Sequence, residues 1–175
     1  MAAAKAKIEK GNEKGDVLKS RNELVGLPVV YEASGTVAGT VKDVVCQPGE
    51  RKVSGLVVEK KGLMKKTTYV PWSKVNLMGN NCVMVDPDGL MKMPKDAWVF
   101  EGPFQQTPKV YDTEGKELGH VTDIAMDEQT GHTVRLTVSR SILDDYREGR
   151  PQYEQFVFQG ESGNVIVPQI HQERE

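Results

Sequence analysis

Two aspartates, Asp43 and Asp123, sit in matching settings 80 residues apart, Val41-Lys42-Asp43-Val44 and Val121-Thr122-Asp123-Ile124. Paired carboxylates can exchange protons or hold a divalent cation. An aspartate between β-branched neighbours at a fixed point of a hairpin more often accepts backbone hydrogen bonds, and that role is expected of both. The three histidines are His120, His132 and His171, and the first two fall on adjacent strands or their connection. A metal site there would need Asp127 or Glu128 as further ligands, and no short-range ligand motif is present. Cys46 and Cys82 lie in apolar runs outside any CxxC spacing, where cysteine packs as a small hydrophobe. A nucleophilic thiol would need a neighbouring base, and that half of the chain contains no histidine. Phosphate-cradling GxxxxGK[ST] and GxGxxG loops are absent. No catalytic or metal-binding residue and no cofactor is therefore assigned, and a non-enzymatic protein is expected.

The remaining chemistry is charge. Lys60, Lys61, Lys65 and Lys66 cluster in a turn-rich segment, with Tyr69 and Trp72 following, so phosphate contacts and a stacking surface can be imagined together. The net charge of -2 conceals an asymmetry, because residues 1–86 sum to +5 and residues 87–175 to -7. Opposite signs can steer one half onto the other or one chain onto the next, so a homodimer is one expectation. Arg51 and Lys52, after Pro48-Gly49, read as an ordinary exposed basic turn. At 38% apolar and 27% charged residues, the 175-residue chain can form a core. Halves of under 90 residues would be marginal alone, so they are expected to pack together. No apolar stretch reaches membrane-spanning length and the first residues lack a secretory h-region, which makes a cytoplasmic location the expectation.

Those residues must be positioned by repeated elements. Val30 to Val44 aligns without a gap on Val110 to Ile124, the register continues through Leu56 on Leu136 and Val58 on Val138, and it extends back to Pro28 on Pro108. Further on, Tyr69-Val70-Pro71 resembles Phe156-Val157-Phe158, and Cys82 to Val85 resembles Asn164 to Val167. Short runs rich in Val, Ile, Thr and Tyr, bounded by Gly, Pro, Asn and Asp, predict strands at 28–31, 39–47, 53–60, 67–71 and 82–85. The second copy repeats them at 109–111, 119–127, 133–139, 154–159 and 164–168. Gly35, Gly115 and Gly131 suit hairpin turns, whereas Gly39 and Gly119 suit a bend or a close backbone approach. Ser20-Arg21-Asn22-Glu23 has capping-box form, and Ser141 to Gly149 has a cap and a stop for a second short helix.

The run Leu24-Val25-Gly26-Leu27-Pro28-Val29-Val30, then Gly35, Gly39-Thr40-Val41-Lys42-Asp43-Val44, Val53 to Val58 and Val70-Pro71, resembles the PRC-barrel domain. The second copy is similar through Pro108, Gly115, Gly119, Val121, Asp123 and Ile124. The resemblance implies a mainly β fold of two small antiparallel barrels in tandem with short helical turns, used as an interaction module. Its relatives include the cytoplasmic part of a photosynthetic reaction-centre subunit and a domain of a ribosome maturation factor, and neither role transfers on fold alone. The expected organisation is a tail at 1–15, a first barrel at 16–87, a packed linker at 88–106, a second barrel at 107–170 and a tail at 171–175. The expected function is a protein-interaction or assembly module. Its partner would meet the divergent loops, with Tyr146 and Arg147 in one and the four lysines in the other. The alternative is an RNA-binding or ribosome-assembly factor using the basic first half.

Overall fold

The computed structural model describes residues 17–47, 49–95, 97–100, 107–159 and 162–169; the two expected tails, with His171, and residues 101–106 of the expected linker lie outside them. The first copy contains β1 (Leu18–Ser20), α1 (Arg21–Leu24), β2 (Pro28–Tyr31), β3 (Val37–Cys46), β4 (Val53–Lys60), β5 (Thr67–Pro71), a 3-10 turn at Trp72–Lys74, β6 (Val75–Met78) and β7 (Val83–Val85). The linker contributes β8 (Trp98–Val99). The second copy contains β9 (Lys109–Asp112), β10 (Glu117–Asp127), β11 (Thr133–Ser139), α2 (Ile142–Glu148), β12 (Gln152–Tyr153), β13 (Val157–Phe158) and β14 (Val165–Val167). Five short strands escaped the sequence pattern or were merged by it: β1, β6, β8, β12 and β13. Each has only two to four residues and, unlike β7 and β14 of similar length, none carries two β-branched residues at alternate positions to mark it.

The same order is built twice. One sheet runs β5-β4-β3-β2-β7-β6 and the other β12-β11-β10-β9-β14-β13. The β2–β7 and β9–β14 pairs are parallel and the other pairs antiparallel. Among the described residues no pairing joins β5 to β6 or β12 to β13, so neither sheet closes into a hydrogen-bonded ring.

The pairings correct the sequence alignment in two places. Val29 faces Gly39 and Val83, whereas Val110 faces Gly119 and Val165, so Val29 and Val110 are the equivalent positions, 81 apart. The first turn, Tyr31 to Thr36, holds one residue more than Asp112 to Lys116. Burial explains the shift, since Val29 and Val110 both have no exposed surface and a one-residue slip would turn them outward. Likewise Val70 opposes Leu56 while Tyr153 opposes Leu136, which makes β12, and not Phe156 to Phe158, the counterpart of β5. Val157–Phe158 pairs with β14 as β6 pairs with β7.

Each copy's leading strand crosses to the other copy's sheet. β1 pairs with β10, Lys19 facing Met126, and β8 pairs with β3, Trp98 facing Cys46. Between them the two long hairpins touch tip to tip. The Val53 N–H donates to the Gly131 carbonyl at 2.8 Å and the Thr133 N–H to the Arg51 carbonyl at 2.9 Å, a reciprocal pair centred on Lys52 and His132. Gly131 is confined there, because its φ is +73° and a Cβ would press on the Val53 carbonyl and the Trp72 ring. Gly39 and Gly119 meet their expectation of close approach: a Cβ on either would overlap the carbonyl of Glu59 or Ser139. Gly35 and Gly115 occupy left-handed turn positions at +69° and +81°.

A single core runs through both copies, from Leu24, Val29 and Val41 to Ile124, Leu136 and Val165. On the outer face of the first sheet Val45, Val57 and Tyr69 form a second apolar patch, roofed by Met93, Ala97 and Val99 of the linker. The positions equivalent to those three residues in the second copy are Ala125, Thr137 and Gln152. That face is small and polar, so it requires no roof, and one linker serves a molecule with two sheets.

Candidate functional site

Three places gather the residues singled out by type and spacing. The first is the junction, where α1 lies between β3 and β10. A capping box starts this helix: the Ser20 hydroxyl accepts from the Glu23 N–H and the Glu23 carboxylate accepts from the Ser20 N–H. Arg21 donates from Nε to Asp43 Oδ1 at 2.7 Å, and its guanidinium lies 4.8 Å from the centre of the Phe100 ring. All three side chains are buried. Asp43 Oδ1 also accepts from the Val44 N–H at 2.7 Å. Asp123, its repeat partner, accepts from the Ile124 N–H at 2.8 Å and from the Asn22 N–H at 3.1 Å. The two aspartates therefore accept backbone bonds at equivalent bulges and hold opposite sides of one helix.

Arg51 belongs to this junction and corrects the expectation of an ordinary exposed turn. It reaches into the second copy, donating to the Thr133 carbonyl at 2.9 Å and the Glu154 carbonyl at 3.0 Å, with its guanidinium 3.8 Å from the centre of the Phe156 ring. Burial lowers its pKa from the usual value. The sequence held a partial signal, since Arg51 lies two residues before β4, at the position that the repeat fills with the turn residue Gly131 before β11. The direction of its side chain was not legible, because only the tip-to-tip hairpin contact supplies its acceptors.

The second place is the β4–β5 hairpin carrying Lys60, Lys61, Lys65 and Lys66. All four are exposed, and the Lys60 N–H closes the loop on the Lys66 carbonyl at 2.8 Å. Tyr69 and Trp72, the aromatics that could have stacked with bases beside it, are buried instead. The Tyr69 hydroxyl donates to the Ser54 carbonyl at 2.9 Å, and its ring lies over Gly55.

The third place is the β11–β12 connection, the structural counterpart of that hairpin. Its helix α2 is capped by Ser141 and ended by Gly149 at φ +75°, and it buries none of its residues. Ile142, Leu143 and Tyr146 are 87%, 68% and 90% exposed and share a face, with Arg147 beside them. The helix is nevertheless pinned. Asp145 accepts from the Ser139 hydroxyl at 2.6 Å and from Arg150 Nε at 3.0 Å, and Glu148 accepts from Arg140 at 3.0 Å. The Ser139 bond above all, with Arg150 and the Arg140 N–H, outweighs burial and holds the Asp145 carboxyl below the usual carboxylate range.

The other chemical candidates are dispersed. His120 is exposed on β10 and His132 sits at the hairpin contact, while Asp127 is spent on the turn, accepting from the N–H groups of Gln129 and Thr130. Among the described residues no group of three His, Cys, Asp or Glu side chains is placed to hold a metal. Cys46 is buried, and desolvation first, with the Asp43 charge second, pushes its thiol up to about 12. Iodoacetamide at neutral pH is accordingly expected to modify the half-buried Cys82 in the folded protein and to reach Cys46 only after denaturant is added. Mass mapping of the labelled peptides checks this, and equal labelling rates would contradict the buried setting of Cys46.

The comparisons agree with this doubled architecture. No helix among the described residues is long and apolar enough to cross a membrane. No curated protein matches the chain. The family model described as the PRC-barrel domain matches twice, over residues 16–91 and 108–168. These spans cover every strand of the two sheets but β8, with the matched bulges at Asp43 and Asp123, and the chain belongs to the PRC-barrel domain family, as a tandem protein with two copies.

Proposed function

We propose that this protein is a non-enzymatic interaction module in which two sheets with exchanged leading strands form a rigid body and α2 is the docking element for a protein partner. PRC-barrel domains occur in protein-interaction modules, which supports this class of role. The observation that carries the reading is that α2 presents Ile142, Leu143 and Tyr146 to solvent while Asp145 fixes it to Ser139 at the end of β11. An apolar face held in place loses little conformational freedom on binding, and an exposed tyrosine beside an arginine is the composition that concentrates binding energy at interfaces. The complementary partner surface is an apolar groove with an acidic group opposite Arg147.

Affinity capture from the native cell tests it. Changing Tyr146 and Arg147 together to Ala is expected to weaken a specific partner by about 30-fold or more, with the melting temperature unchanged because neither side chain is buried. An identical set of captured proteins for the parent and the variant, or no specific partner under gentle conditions, would reject the assignment.

A further inference from the structure

We infer that the hairpin from Lys60 to Lys66 docks on anionic lipid bilayers, with Leu63 and Met64 entering the headgroup boundary and the lysines resting among the phosphates. Leu63 is fully exposed and Met64 is 88% exposed, the most solvent-exposed pair of apolar neighbours among the described residues. They form the tip of a tight hairpin, with Gly62 at φ +146° and the Lys60 N–H bonded to the Lys66 carbonyl. Lys60 and Lys61 precede them and Lys65 and Lys66 follow, and no acidic residue lies between. The nearest carboxylate, Glu59, is shared between Lys65 at 3.8 Å and Lys42 at 3.3 Å, so positive charge dominates the tip.

Two exposed apolar side chains ringed by four flexible cations fit a flat, apolar-centred, negatively charged surface. The apolar pair enters the acyl boundary while the lysine stems extend to the phosphates. The feature does not come with the fold. The counterpart connection in the second copy balances Arg140, Arg147 and Arg150 against Asp144, Asp145 and Glu148, and two of its ion pairs are internal. Position also favours the reading, because the hairpin sits at the end of β4 remote from the Lys52–His132 contact and can reach a plane without disturbing the junction. RNA is the weaker fit. Single strands bind by base stacking, and the aromatics near this loop, Tyr69 and Trp72, are buried. This site is separate from α2, so it stands or falls independently of the proposed protein partner.

Vesicle sedimentation of the full chain is the test, using phosphatidylcholine with and without about a third phosphatidylglycerol. Binding is expected to the anionic vesicles alone, weakening about fivefold for each lysine changed to Gln. Changing Leu63 and Met64 together to Ser is expected to weaken it by about tenfold or more with every lysine intact. A Leu63→Trp variant reports insertion directly, through a blue shift of its fluorescence on anionic vesicles. Because the loop is exposed, melting temperatures should be unchanged, which separates lost binding from lost folding. The inference is overturned if anionic vesicles do not bind, if the double Ser variant binds as tightly as the parent, or if the loop binds a single-stranded RNA oligonucleotide and the vesicles fail to compete.

Discussion

Replacing Asp43 by Ala is expected to destabilise the protein by about 3–5 kcal/mol, the loss that follows removal of one partner from a buried ion pair. The Arg21 guanidinium, 5% exposed, would keep its place against Phe100 without the carboxylate that faces it at 2.7 Å. The Val44 N–H would lose its acceptor in the same step. Against a total stability of about 5–15 kcal/mol, a loss of that size approaches unfolding at physiological temperature. For a chain of this length it should appear as a fall of roughly 10 °C in the melting temperature. The repeat supplies an internal control. Asp123→Ala removes the bonds to Ile124 and Asn22 from a half-buried position where no arginine faces the carboxylate, so a loss of about 1 kcal/mol is expected. Thermal or urea unfolding of the two variants side by side measures the difference. Equal losses would show that Asp43 acts through its backbone bonds alone and that the buried arginine contributes nothing. Replacing Arg21 and Asp43 together by Met and Leu should recover most of the loss, because an apolar pair of similar volume removes both charges at once.

That contrast marks where the sequence was legible. The spacing of Asp43 and Asp123, with β-branched neighbours on both sides, was enough to predict backbone acceptors at matching points of two hairpins. It was also enough to place most long strands within two residues, because Val, Ile and Thr runs between turn residues report burial on one face of a sheet. The burial of Arg21 was not legible because its partner lies on β3, 22 positions away, and nothing in the capping box that contains it signals burial. The one-residue shift at Val29 was hidden by a second coincidence, since Pro28 and Pro108 matched in the wrong register while the buried valines carried the true one. β12 is less legible in the sequence than Val157–Phe158 because an edge strand with a polar outer face, Gln152–Tyr153, has less apolar character than its neighbour. The candidate surfaces were legible as divergent loops. Which of their side chains point outward was not, because exposure depends on the bonds that close each connection, Ser139 to Asp145 in one and Lys60 to Lys66 in the other.

The exchange of leading strands predicts the second large effect. If the chain is produced as two pieces, 1–87 and 88–175, neither is expected to unfold cooperatively by itself, and the two mixed in equal amounts should recover a single cooperative transition. Each piece then holds a strand whose partner sheet is on the other piece: β1 needs β10, and β8 needs β3. The first piece would expose Val45, Val57 and Tyr69, which the linker covers in the intact chain, and the inward side of Leu24 would lose the second copy. The second would lose Arg51 from the face of Phe156 and the Val53 and Arg51 backbone bonds from its hairpin tip. A piece of under about 90 residues buries too small a fraction of its surface to offset such losses. Far-ultraviolet circular dichroism and dye binding of the separate and mixed pieces provide the readout, with strong dye binding expected for each piece alone and its disappearance on mixing. A sharp transition near the intact melting temperature for either piece alone would show that the copies are independent and only adjacent. Reassembly would show that the two copies fold as one body, so that α2 and the lysine hairpin, at the outer ends of β11 and β4, are held at a fixed separation by a continuous core. The two proposed docking elements on one rigid spacer would engage a partner and a surface together only where that surface and partner match the spacing, and the core would make the match selective.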